Sequence, residues 1–153
     1  SEYIDYGYIQ DASYNNIAVY ANGNGQTPTE IIASYISQEQ TGYYEGGIAA
    51  LVDGVTSAGS ITLDMNFGTQ NYTGNINIDE GNWKAAINSG SITSGGFSSS
   101  DISTATGSSI SNITGDMSGK FYGPNAEAVR GVLNLNSGSN SVTGAFGATE
   151  SPR

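Results

Sequence analysis

The side chains able to do chemistry in this sequence are tyrosines, carboxylates and hydroxyls, for it holds no histidine and no cysteine. That inventory removes the commonest general base, the commonest metal ligand and the thiol nucleophile, along with disulfides and cysteine-ligated zinc. No nucleophile–base spacing or paired-carboxylate motif organises what is left, so no catalytic residue is assigned and a non-enzyme is expected. Carboxylates at Asp53, Asp79, Glu80 and Asp101 could meet calcium, but no EF-hand spacing or glycine–aspartate repeat groups them, and a solvated acidic surface is expected. A haem iron would have to draw on tyrosine, Met65 or Met117, and both methionines fall in phase with apolar strand positions. No cofactor and no metal are therefore expected.

Recognition is the remaining chemistry. Of ten tyrosines, Tyr3, Tyr6, Tyr8, Tyr14 and Tyr20 fall early in the chain. Tyrosine offers contact area and a hydroxyl at low entropic cost, yet it is also simply a good strand residue. Tyr6, Tyr8 and Tyr43 are the binding candidates. Tyr43 is expected to face outward, because its neighbour Tyr44 shares the face of Gly46 and Ile48.

Charge narrows the partner. Four basic residues, Lys84, Lys120, Arg130 and Arg153, stand against fourteen acidic ones for a net charge of -10. That excess repels nucleic acid and anionic lipid, so neither is an expected partner. No stretch is apolar over the roughly 18 residues a spanning helix needs. The opening SEYIDYGYIQ lacks the charged start and apolar core of a signal peptide, and the chain reads as mature or trimmed. A monomeric, extracellular bacterial domain recognising a protein or small ligand is expected.

The elements that must position these side chains are strands. With 22 glycines and only 12% charged residues, the composition is β-rich and turn-rich, and 153 residues suit one domain. Along residues 60–67, Ile61, Leu63, Met65 and Phe67 share one face while Thr62, Asp64 and Asn66 share the other. After the polar GTQN, Tyr72, Gly74, Ile76 and Ile78 alternate, which predicts a hairpin; DEGN then leads to Trp83, Ala85 and Ile87. Tyr44 to Val52 alternates likewise, as do Ser111 to Phe121, and further strands are expected over 131–135 and 141–147. The segments IDYGYI and NIAVYA supply one or two more, and SSSDISTATGSS reads as a mobile loop. Eight or nine strands at short spacing predict an all-β fold, a single eight-stranded antiparallel up-and-down barrel over 1–153. Glycines on the apolar faces (Gly46, Gly74, Gly115, Gly119, Gly144) favour a barrel, whose strands must bend sharply in little interior room.

One motif interrupts the alternation. GKFYG runs on as GPNAEAVRG, and Pro124 has no amide hydrogen and a φ suited to a first helical position. A short helical turn over 124–129 is predicted, with Ala126 and Val129 covering a barrel end above Phe121, Gly123 freeing the exit, and Glu127 pairing with Arg130. GKFYGPNAEAVRGVLNL followed by SVTGAFGA resembles the closing segment of the β-barrel domain of transferrin-binding protein B and its relatives, bacterial surface proteins that include factor H binding protein. FGTQNYTGNI fits the same pattern, TGYYEG and GNGQTPTEII more loosely. The resemblance marks Gly119, Phe121, Tyr122, Gly123, Pro124, Glu127, Gly144, Phe146 and Gly147 as its structural motif. It departs where the family carries a second acidic residue and a Gly-Gly, here Ala128 and Arg130-Gly131. It implies a barrel at the outer surface of a bacterium, the C-terminal domain of a larger surface protein, with the anchoring lipidated cysteine on an upstream segment. Its loops would bind a host or environmental protein or small ligand. Two other functions stay open: a structural cap or spacer of an adhesin or surface-layer protein, and a haem or iron carrier.

Overall fold

The computed structural model describes residues 2–10 and 17–151. Ten strands and one helix follow in order: β1 (Ile4–Gln10), β2 (Ile17–Gly23), α1 (Thr29–Ser37), β3 (Thr41–Val52), β4 (Val55–Asn66), β5 (Asn71–Ile78), β6 (Trp83–Thr93), β7 (Gly96–Thr104), β8 (Thr114–Tyr122), β9 (Ala128–Ser137) and β10 (Asn140–Glu150). β3 to β10 each pair antiparallel with their neighbours in sequence, and β10 closes on β3 to complete an eight-stranded barrel. β1 and β2 form a separate two-stranded sheet outside it. The Asp53-Gly54 pair joins β3 to β4 with positive φ at both residues, 48° and 83°, the two-residue turn whose twist matches that of the flanking strands.

The alternating faces fall as the sequence predicts. Ile61, Leu63, Met65, Phe67, Ile76, Ile78, Ile113, Phe121 and Phe146 are all buried, and both methionines belong to the core. Aromatic rings fill one half of the interior. Phe121 lies against Phe97, Phe67 and Tyr44 with centroids 5.3, 5.5 and 6.3 Å away, and Phe97 in turn meets Tyr72 and Phe146. Such tilted and edge-on pairs add to the stabilisation from area burial.

Three expectations need correction. The helix lies at Thr29–Ser37, not at 124–129. Pro28 occupies its N-cap position, Glu30 its first turn, and Ile32 is buried while Tyr35 and Ile36 pack on the core as a lid over the barrel end. At 124–129 the chain makes only a turn, because Ala126 sits at φ 60° in the left-handed region, where an α-helix cannot continue, and Ala128 already begins β9. Ala126 and Val129 are nonetheless buried beside Phe121. SSSDISTATGSS is not wholly a loop, since Gly96–Thr104 forms β7 with Phe97 and Ile102 turned to the core. Register shifts on the neighbouring β6 at Ile87/Ser89 and Ser89/Ser91 disrupt the regular alternation, and the Ser99 hydroxyl is satisfied by donating to the Ser89 carbonyl at 2.6 Å. Finally, Ser111 precedes β8, which starts at Thr114.

Candidate functional site

Above β8 the chain is tied into a strap. Gln26 bridges Tyr122, the Thr27 amide donates to the Phe121 carbonyl at 2.9 Å, and the Gly123 amide donates to the Gly25 carbonyl at 2.8 Å. The buried Thr27 hydroxyl donates to the Gly123 carbonyl at 2.7 Å. Gly123 holds φ 92°, and a Cβ there would come within 3.1 Å of the Glu127 carboxylate, so glycine fits the corner on both counts. Two tyrosines hold the turn from below: Tyr35 donates to the Asn125 carbonyl at 3.0 Å, and the buried Tyr44 donates to the Ala126 carbonyl at 2.6 Å. Glu127 accepts from the Asn125 amide.

Between this turn and the base of the hairpin opens a cleft of about 500 Å³, walled by Tyr3, Gln26, Pro28, Gly123 and Pro124 with Glu2 at its edge. Two proline rings and a tyrosine ring give it an apolar wall that loses little entropy on binding. Tyr3 is held in its protonated, hydrogen-donating form, its pKa pushed up to about 12 by a hydrogen bond to Glu2, by burial and by the carboxylates of Glu2 and Glu127. The cleft offers shape, backbone groups and a phenol, but no cation.

The hairpin lies against the outer wall of the barrel. Ile4 packs with Tyr122 and Ala128, and Tyr3 flanks them. Tyr6 rests on a floor made by the cross-strand pair Gly47 and Gly147; a Cβ on Gly47 would stand 2.1 Å from the Tyr6 hydroxyl, and one on Gly147 would stand 2.7 Å from its ring. The Tyr8 hydroxyl donates to the Ser57 carbonyl. Both rings still show an edge to solvent, 36% and 41% exposed, so each combines docking with a free edge. The structure thus brings Tyr6 and Tyr8 to one hairpin face and leaves Tyr43 apart, half-buried on β3 beside Glu150 and Ser151. Tyr14 and Arg153 lie outside the described residues.

The motif residues divide by face. Phe121 and Phe146 point inward, with Gly119 under the Phe97 ring and Gly144 against Leu133 and Ile48. Tyr122 and Gly147 point outward beneath the hairpin, and Gly123 and Pro124 line the cleft. Arg130 does not meet Glu127 as spacing implied: its Nε donates to the Tyr122 hydroxyl at 2.8 Å, because β9 extends the chain where a helix would have stacked the two. Asp53 caps the Ser141 amide, Asp101 accepts from Asn88, and among the described residues no three potential metal ligands cluster. Tyr3, Gln26 and Pro28 were missed as site residues. Pro28 following GNGQ marks a chain reversal, but nothing local says it returns to Pro124.

Comparison with known proteins agrees with this architecture. A family model described as the C-lobe and N-lobe beta barrels of Tf-binding protein B matches residues 9–150. Transferrin-binding protein B from serogroup B Neisseria meningitidis superposes with a TM-score of 0.76 at 20% identity, covering 98% of this chain and 31% of that one. A mutant of the same protein from Haemophilus parasuis gives 0.74 at 21% identity, over 99% of this chain and 33% of the other. The haemoglobin receptor HpuA from Kingella denitrificans gives 0.70 at 19%, over 98% and 55%. No curated protein matches. The chain spans about a third of the length of the transferrin-binding proteins it resembles. With 9–150 matched and the barrel closed in the same form, this chain belongs to the family of transferrin-binding protein B β-barrels.

Proposed function

We propose that this chain is a non-enzymatic binding barrel of a bacterial cell-surface protein, one domain of a longer chain, which recognises a folded extracellular protein on its outer surface. The observation that carries this reading is the family membership: relatives are named as transferrin-binding, lactoferrin-binding and haemoglobin-receptor proteins, and one as a surface lipoprotein. The packed interior supports it. Phe67, Phe97, Phe121 and Phe146 occupy the space in which an open barrel would hold a small ligand, so recognition falls to clefts and edges outside. The cleft at Tyr3, Pro28 and Pro124 is the candidate surface, and the free edges of Tyr6 and Tyr8 extend it along the hairpin toward the other end of the barrel. A net charge of -10 favours a partner with a basic face and predicts binding that weakens with salt.

The test is surface plasmon resonance of the immobilised barrel against transferrin, lactoferrin and haemoglobin, each with and without iron or haem. Binding to one of them, weakened about tenfold by Tyr3→Ala, is expected. Flat responses to all, or binding indifferent to the cleft variant, would favour the cap or spacer role or move the site elsewhere. A Soret band in the purified protein would point to a haem carrier instead.

A further inference from the structure

Two of the three basic residues within the described region stand side by side. Lys120 and Arg130 are direct cross-strand partners on the outer wall of β8 and β9. Like charges in that position repel, and among the described residues neither forms an ion pair with a carboxylate. Arg130 gives its Nε to the Tyr122 hydroxyl and lays its guanidinium over that ring, 5.5 Å from the centroid. The Lys120 stem runs along β7, where a Cβ on Gly96 would stand 3.4 Å from its Cγ.

Next to that stem lies a groove of about 340 Å³, walled by Ser91, Thr93, Ser98, Gly96, Phe97 and Gly119. The ladder sets its hydroxyls in line. Ser91 pairs with Ser98, Ser98 pairs with Ser118, and Thr93 pairs with Gly96 two positions further along, on the same face. Ser91, Thr93 and Ser98 are exposed. A row of hydroxyls beside the Lys120 ammonium, with the Arg130 charge on the next strand and no carboxylate between them among the lining residues, is complementary to one kind of ligand in a chain that is otherwise strongly acidic.

We infer that this groove is a subsite for a carboxylated sugar, with Lys120 facing the carboxylate, Arg130 adding its charge from the next strand, and Ser91, Thr93 and Ser98 meeting the ring hydroxyls. An acidic peptide fits less well. Its extended charge would meet the net -10 of the whole chain, whereas a single carboxylate on an otherwise neutral ring is read by the local pair. The volume is also that of one ring rather than of a strand.

The experiment is a titration of the isotopically labelled full chain with glucuronate, followed by amide chemical shifts, with glucose and acetate as the neutral-ring and carboxylate-only probes. Glucuronate at millimolar concentration should move Ser91, Ser98, Lys120 and Arg130 together. Glucose and acetate should each bind at least about tenfold more weakly. Lys120→Gln should weaken glucuronate about tenfold or more, Ser98→Ala by less, and Lys84→Gln not at all. Because all three positions are on the outer surface, retained amide dispersion will show that the variants fold. Acetate matching glucuronate would mean that the cations bind any carboxylate and would overturn the sugar assignment. So would shifts indifferent to Lys120→Gln, or no shift with glucuronate. An acidic peptide competing better than glucuronate would assign the site to protein contacts and reject it equally.

Discussion

The barrel and the hairpin on its wall are both antiparallel β structure built from alternating sequence, yet they are held by different physics. Each barrel strand is paired on both sides and buries one face against interlocking rings. The β1–β2 hairpin has two free edges and a thin contact: Ile4 against Tyr122 and Ala128, Tyr6 on two glycines, and one hydroxyl from Tyr8. Stability follows burial, so the hairpin belongs to the low end of local opening free energies while the barrel sets the global one. Under the proposed binding role this is a useful division, since the exposed tyrosine edges and one wall of the cleft sit on the element that opens most easily.

The largest break in that contrast is Phe121→Ala. The ring touches Tyr44, Phe67 and Phe97 at the lidded end, and its loss leaves a cavity that the surrounding strands cannot close. A cost of about 3 to 5 kcal/mol in urea denaturation is expected. Where the variant stays folded, binding should survive, because the side chain faces away from the cleft. Folded protein that no longer binds would mean that the scaffold and the site are one unit.

A smaller effect is expected from filling the glycine floor. Gly47→Ala with Gly147→Ala should displace Tyr6 and Ile4, costing about 1 to 3 kcal/mol. The cost should appear as faster hydrogen exchange in residues 4–10 and 17–23, with the barrel midpoint almost unmoved. Equal loss across the barrel would show that the hairpin is structurally required rather than docked.

These two variants also mark how far sequence reasoning reaches. Phe121 was legible because period-2 alternation runs through β8 from Thr114 to Phe121, as it does through β5 and the second half of β4, whereas β10 buries residues 144–148 on both faces. The hairpin's place outside the barrel was not, since IDYGYI alternates like any barrel strand and only the Gly47–Gly147 pairing reveals what lies beneath Tyr6. α1 is nine residues long, too short for its periodicity to stand out, and the register shifts beside β7 removed the signal there. Half of the cleft, Gly123 and Pro124, stood out as a motif. Its other half and the Lys120–Arg130 pair depend on contacts distant in sequence.

Inside the barrel, two buried phenols should respond oppositely to loss of the hydroxyl. Burial drives both pKa values well above the ordinary tyrosine range, so both remain neutral donors. Tyr44 has a partner, the Ala126 carbonyl, and Tyr44→Phe should cost about 1 to 2 kcal/mol and loosen the turn. Among the described residues Tyr72 has none, its hydroxyl being buried without a hydrogen bond. Tyr72→Phe should be neutral or stabilise by up to about 1 kcal/mol, measured by the same urea midpoint. Destabilisation would reveal a bound water or a partner that the hydroxyl serves.

The smallest effect concerns charge at the barrel mouth. Burial, and secondly the Glu127 carboxylate, raise the Glu150 pKa above the usual carboxylate value. A raised carboxyl binds its proton more tightly in the folded state, so its ionisation opposes folding. The penalty is absent below the unfolded pKa, grows as pH rises through the ordinary carboxylate range towards the folded value, and is complete above it. Glu150→Gln should therefore stabilise the protein slightly at neutral pH and lose that advantage on acidification. The hydrogen bond joining the Glu150 amide to the Glu127 carbonyl at 2.9 Å is made by the backbone and survives the substitution. The difference is thus electrostatic and should shrink in high salt. Thermal melts of both proteins across the acid limb decide it. An advantage for the variant that persists below the carboxylate range, or one that salt leaves untouched, would assign the effect to packing at the mouth and remove charge from the account of how this end is held.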